Sequence, residues 1–179
     1  MSQPGRIKTS KLALSAMLVA VMMVLGYVES LIPIGGVPGI KLGLANSVLL
    51  LSLYWLGIPI SIQLMLVKVF LSGFLFGNLM AIQYSLAGGV LSLLIMTLLI
   101  YAVRGISPIG AGIAGAVMHN VGQVMVAMLV LQTSQLAYYL AILVLVGIVT
   151  GAVTGTVAQL LMKHLRSTPF ALKPKRKIE

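Results

Sequence analysis

Cysteine and aspartate are absent from this 179-residue chain, and the only acids are Glu29 and Glu179. Without cysteine there is no disulfide framework and no thiolate site for zinc, haem or an iron–sulfur cluster. One internal carboxylate and no aspartate make a poor ligand set for hard divalent cations. No Gly-x-x-x-x-Gly-Lys-Ser/Thr phosphate loop occurs, so any ATP hydrolysis must happen on another protein. Charge of either sign is scarce. Charged residues make up 8% of the chain and apolar ones 60%, whereas ordinary soluble domains are about 25% charged. Such a surface cannot be covered by polar groups, so lipid must be the solvent for much of it.

The twelve basic residues are concentrated at the ends. Arg6, Lys8 and Lys11 precede the first apolar run. Lys163, Arg166, Lys173, Lys175, Arg176 and Lys177 follow the last. This placement fits anionic headgroups and not nucleic acid. No small-residue cleavage site leading into a soluble domain is present, so no signal peptide is expected.

A membrane-crossing helix needs about 20 mainly apolar residues. Apolar runs cover residues 12–32, 44–56, 60–76, 79–103, 109–131 and 136–162. They are broken by the Gly- and Pro-rich stretch 33–39, by Gly57-Ile58-Pro59, by Arg104-Gly105 and by Gln132-Thr133-Ser134-Gln135. The expected fold is an all-α integral membrane protein. Residues 1–165 form a bundle of six transmembrane helices, and 166–179 a basic cytoplasmic tail. The run at 44–56 is short for a span. With both termini cytoplasmic, ten of the twelve basic residues fall inside, as positive residues prefer. Lys41 is then outside and Lys68 lies within the membrane. No strong internal repeat is visible.

Some residues do not belong in lipid. Lys68 sits mid-span, with Ser61 and Ser72 on its helical face. Intramembrane charge costs at least about 2.5 kcal/mol on insertion scales. Glu29 lies near the outer end of the first span. These two could pair, or each could meet a ligand. In the fifth span His119, Asn120 and Gln123 cluster at one depth. Gly112, Gly115, Ala116, Gly122 and Ala127 fall on the same broad face, and Val117, Val121, Val124, Met125 and Met128 on the other. Interhelical hydrogen bonding would explain a small, polar face; so would a pocket. Lys41, Asn46, Asn78 and Tyr84 gather in the outer half with Glu29. The candidate substrate-binding set is therefore Glu29, Lys41, Asn46, Lys68, Asn78, Tyr84, His119, Asn120 and Gln123. No catalytic residue, metal site or cofactor is expected. Gly147, Gly151 and Gly155 form a close-packing stripe in the sixth span, and Ala13, Ala16 and Ala20 form one in the first.

The chain resembles the substrate-binding S components of energy-coupling factor transporters. The shared features are the small six-span layout and an Ala-x-x-x-Ala motif, here Ala16 to Ala20. It is most similar to the Gx transporter family, which also carries the description heptaprenyl diphosphate synthase component I. The resembling stretches are Lys41-Leu42-Gly43-Leu44-Ala45-Asn46, Phe76-Gly77-Asn78, Tyr84-Ser85-Leu86-Ala87-Gly88-Gly89, and residues 114–123 with His119, Asn120 and Gln123. The resemblance implies a non-catalytic subunit that binds a small metabolite from outside and topples to deliver it inward. It implies that Ala16 and Ala20 contact a transmembrane coupling protein, which binds two cytosolic ATPases. It places the chain in the cell membrane, multi-pass, and in bacteria in the plasma membrane. A subunit of isoprenoid or quinone synthesis, or a scaffold in a flavin- or quinone-linked redox pathway, are the alternatives. The cargo stays open among an isoprenoid precursor, a quinone precursor and a vitamin. Lys41, Lys68 and His119 favour an anionic or acceptor-rich one.

Overall fold

The computed structural model describes residues 4–31, 44–77, 79–103 and 105–166. Among them there is no strand. Six α-helices follow one another: α1 Pro4–Leu31, α2 Leu44–Trp55, α3 Ile58–Phe76, α4 Leu79–Ala102, α5 Pro108–Leu131 and α6 Ala137–Arg166, the last preceded by a short 3₁₀ turn at Ser134–Leu136. The apolar runs in the sequence match these helices to within a few residues, except at the N-terminus. There α1 starts at Pro4, well before the apolar run at Leu12.

Local chemistry sets the breaks. Gly57 takes φ 87°, a left-handed value that suits glycine, and Pro59 sits in the first turn of α3. At the head of α5 the Ser107 hydroxyl accepts a hydrogen bond from Gly110 N–H at 3.1 Å, with Pro108 next to it. These connections are short, so successive helices run antiparallel. Gly73 packs on Ile82 and Gly89 on Met65, so residue numbers rise on α3 as they fall on α4. The same opposition holds for α4 with α5 and for α5 with α6.

Four helices, α3 to α6, are long and apolar enough to cross a membrane. Their outer faces are greasy: Phe74 is 78% exposed, Leu79 70% and Tyr138 83%. Patches of that kind on a soluble monomer seldom exceed a few hundred Å². The apolar part of α1 is shorter, Leu12–Val28. Helix α2 is different again. Its 12 residues reach about 18 Å, well under a hydrocarbon core of about 30 Å. It is buried on nearly every side, touches all five other helices, and carries Tyr54, Leu50 and Leu53 into the core. It is the hub of the bundle.

Two kinds of packing hold the helices. Helices α4, α5 and α6 meet backbone to backbone. A methyl group on Gly151 would lie 2.5 Å from Ile113 Cα, and one on Gly155 2.6 Å from Ile109 Cα. One on Gly122 would lie 2.7 Å from the Ala87 carbonyl oxygen. The glycine stripe of α6 thus packs against α5, as its spacing predicts. Around α2, large side chains fill the space. A buried hydroxyl pair, Ser52 with Ser61 at 2.7 Å, joins α2 to α3.

Candidate functional site

Between these two kinds of packing lies a hollow of about 140 Å³. Its wall is drawn from five helices. Gly26 comes from α1; Asn46 and Leu49 from α2; Met65, Lys68, Val69, Ser72, Gly73 and Phe76 from α3. Ala81, Ser85, Gly89 and Ser92 come from α4, and His119 and Gln123 from α5. The wall residues of α1, α3 and α4 fall in the final part of the first two helices and the first part of α4. The hollow therefore opens toward the end of the bundle where α1 joins α2 and α3 joins α4. Aromatic side chains of that end meet beside it, the Tyr27 and Phe76 rings lying 5.2 Å apart and tilted by 43°.

The polar groups reach the hollow for definable reasons. Lys68 Nζ donates to Asn46 Oδ1 at 3.1 Å. This bond ties α3 to α2, one end of a hairpin whose other end is the Ser52–Ser61 pair. His119 is brought up by Gly88, where an added methyl would lie 2.9 Å from the imidazole. Gln123 follows one turn later on α5. Ser72, Ser85 and Ser92 add hydroxyls. No aspartate or glutamate occurs among the described lining residues.

Of the sequence candidates, the structure brings Asn46, Lys68, His119 and Gln123 to one wall. Asn120 is turned away. Its Nδ2 donates to the Leu143 carbonyl oxygen of α6 at 2.7 Å, and Gly147 packs beside it. Tyr84 is half-buried and outside the lining. Lys41 and Asn78 lie outside the described residues. So does the Glu29 side chain, although its backbone falls in the last turn of α1. Ser61, on the Lys68 face by helical spacing, bonds Ser52 and does not line the hollow. The small residues of α5 serve two neighbours rather than one pocket: Gly112 meets α6, whereas Gly115 and Gly122 meet α4. Val124, on the greasy face by periodicity, is buried. Ala16 and Ala20 are exposed on the outer face of α1, together with Ala13.

Sequence reasoning singled out neither Ser85 nor Ser92 as a site residue. Ser85, Gly89 and Ser92 sit at i, i+4 and i+7, a small-residue stripe that could have marked the inner face of α4. The residues between them are apolar or glycine, which hides the stripe.

These features define an all-helical protein of membrane type, with a polar-lined hollow at one end of the bundle. The chain belongs to the family described as heptaprenyl diphosphate synthase component I, which matches residues 18–161. No curated protein and no solved structure matches.

Proposed function

We propose that this chain is a capture subunit: an S component of an energy-coupling factor importer that takes up a small metabolite from outside and delivers it inward. The observation that carries this reading is the hollow itself. Lys68, Asn46, His119 and Gln123 converge on one open space inside an oily bundle, where intramembrane polar groups mark a solute path more often than a structural need. The lining offers hydrogen-bond donors and no described carboxylate, so an anionic or acceptor-rich solute suits it best. With six spans and both termini cytoplasmic, the hollow opens outward in a bacterial plasma membrane. Glu29, Lys41 and Asn78 belong to the same mouth in this reading.

The exposed alanines of α1 fit a second role. Ala16 and Ala20 lie on a face that none of the described helices covers, and small residues let a partner helix approach closely. In this proposal they dock the membrane coupling protein, and two cytosolic ATPases supply the energy. In this proposal the chain is a non-catalytic subunit, and two acids in 179 residues are too few for a Mg²⁺–diphosphate site.

The family description favours a second reading, a non-catalytic membrane subunit associated with prenyl diphosphate synthesis. Affinity purification of the tagged chain from its own membrane separates the two. Recovery of a membrane coupling protein with an ATPase pair, lost in the Ala16→Trp and Ala20→Trp variants, is the outcome expected here. Recovery of a soluble prenyl synthase subunit without ATPases would replace the capture reading with the second one.

A further inference from the structure

Five polar side chains of the hollow share one level. Asn46 and Lys68 are joined by their 3.1 Å bond. Gly73 packs on Ile82 and Gly89 on Met65, so Lys68 stands level with residues 86 and 87 of α4. Ala87 and Gly88 in turn pack on Gly122 and His119 of α5. Ser85 and Gln123 sit within a few residues of these contacts. Asn46, Lys68, Ser85, His119 and Gln123 therefore form a layer one helical turn thick, about 5.4 Å. All five line the hollow, and all are half-buried, so each keeps surface that a solute can touch.

Below the layer the hollow is closed. Leu49 and Met65 are 3% and 4% exposed, and the Met65 sulfur lies against Gly89. Ser92, deeper still, is sealed beside Gly115 in the seam of α4 and α5 and takes no part. Above the layer the wall changes. From Lys68 to Phe76 is about 12 Å along α3 at 1.5 Å per residue. Over that stretch the lining is Gly73, Phe76, Gly77 and Ala81, with Gly26 beside the Tyr27 that meets Phe76. The hydroxyl in this part, Ser72, donates to the Val69 carbonyl oxygen at 3.3 Å. Polar groups thus lie deep, and a collar of small and aromatic residues lies at the mouth.

Among the described lining residues there is one permanent cation, Lys68, and no carboxylate. A solute with a single negative charge balances it, which matters where unpaired charge is costly. The Asn46 carbonyl accepts from Lys68, so its amide is left to donate. Gln123, Ser85 and the His119 ring can donate as well. Carboxylate oxygens only accept, and offer about four lone-pair sites between them. The hollow's volume, about 140 Å³, is close to that of an engineered cavity of about 150 Å³ that holds benzene, so room exists for roughly six to eight non-hydrogen atoms.

We infer that the cargo is a short amphiphilic monocarboxylate seated head-inward. Its carboxylate lies in the layer of Asn46, Lys68, Ser85, His119 and Gln123. The closed floor leaves its apolar chain no room below, so the chain points back through the collar of Phe76, Gly77 and Ala81. The inference rests on the capture reading above and adds the charge, size and orientation of what is captured.

Acetate, hexanoate and decanoate are suitable probes. Binding of each to the full chain in lipid nanodiscs would be measured against protein-free discs, which removes partition into lipid. A fully buried methylene tightens binding by about fourfold. Hexanoate is therefore expected to bind at least about tenfold more tightly than acetate, and decanoate no more tightly than hexanoate, because the hollow is then full. Lys68→Met is expected to weaken hexanoate at least about tenfold. Ala81→Phe, which narrows the collar, is expected to weaken hexanoate and spare acetate. Orientation is read on the native chain, with hexanoate carrying a diazirine on its fifth carbon. Light is expected to attach it to Phe76, Gly77 or Ala81, and attachment to Leu49 or Met65 overturns the orientation. Equal binding of acetate and hexanoate, a further gain with decanoate, or full hexanoate binding by Lys68→Met overturns the inference; the gain with decanoate would assign the hollow to a membrane lipid. If no carboxylate binds, the inference falls, and native mass spectrometry of the chain from its own membrane judges the capture reading separately. A retained small molecule of other chemistry keeps that reading, and bare protein ends it.

Discussion

The block of α4, α5 and α6 and the half built on α1, α2 and α3 achieve stability by different means. In the first, glycines at 112, 115, 122, 147, 151 and 155 let backbones touch, with no room for a methyl group at those positions. In the second, Tyr54, Met22, Leu50 and Leu53 fill the centre, and the helices stand far enough apart to need side chains between them. The hollow lies on the boundary. One wall is the glycine-packed α4–α5 pair; the other is the hairpin of α2 and α3, held by Asn46 with Lys68 and by Ser52 with Ser61. Lipid offers helices little hydrophobic incentive to associate, so close packing and polar contacts must do it. The comparison teaches that small residues mark where this chain is closed, and large polar ones where it is open.

Substitutions can break that division. The largest effect is expected at Gly151→Leu, because the added side chain meets Ile113 Cα and the Gly112 carbonyl, neither of which can give way. A loss of about 3 kcal/mol is expected from overpacking of this severity, read as a lower unfolding midpoint in mixed micelles. Wild-type stability in this variant would remove the closed half of the comparison.

Lys68→Met should do the reverse. A charge leaves the membrane interior, so stability should hold or rise, while the fraction of protein carrying a retained small molecule in native mass spectrometry falls at least about tenfold, or about 1.4 kcal/mol. A variant that unfolds but keeps its occupant would make Lys68 a structural residue.

Asn120→Ala sharpens the boundary from the other side. It removes the bond to Leu143 and should cost about 0.6–1.7 kcal/mol, the range for interhelical hydrogen bonds in membranes. Occupancy should not change; a loss of occupancy at full stability would return Asn120 to the site. The smallest effect belongs to Gly26→Ala. Nothing among the described residues lies within 4 Å of the added methyl, and alanine is the better helix former, so a gain of up to about 1 kcal/mol is expected. A fall in the midpoint would mean that α1 packs more tightly than the other half of the comparison allows.

How far the sequence speaks follows the same line. Helix limits were readable because Gly57, Pro59, Arg104 and Gly105 interrupt apolar runs by local rules. The glycine stripe of α6 was readable because its period matches the helix. Lys68 and His119 stood out because charge and imidazole are rare in such runs. What α2 does was not readable. Its 12 residues look like a poor span, and only the surrounding helices show it to be a buried hub. The partner of Asn120 and the place of Ser92 in the lining depend on how helices are rotated against each other. A helix that is apolar all round, as α4 is, presents no moment from which to read that rotation.

The central claim is that a solute can reach the wall of the hollow from one end of the bundle, while a fully buried polar pair nearby stays sealed. The natural absence of cysteine makes this directly measurable with one introduced thiol at a time. Ser85→Cys and Ser61→Cys would be exposed, in intact membranes, to the anionic reagent 2-sulfonatoethyl methanethiosulfonate. The account predicts that Ser85→Cys is modified and that Ser61→Cys, in the buried pair with Ser52, is not. A silent thiol at position 85, or equal modification at both positions, would contradict it.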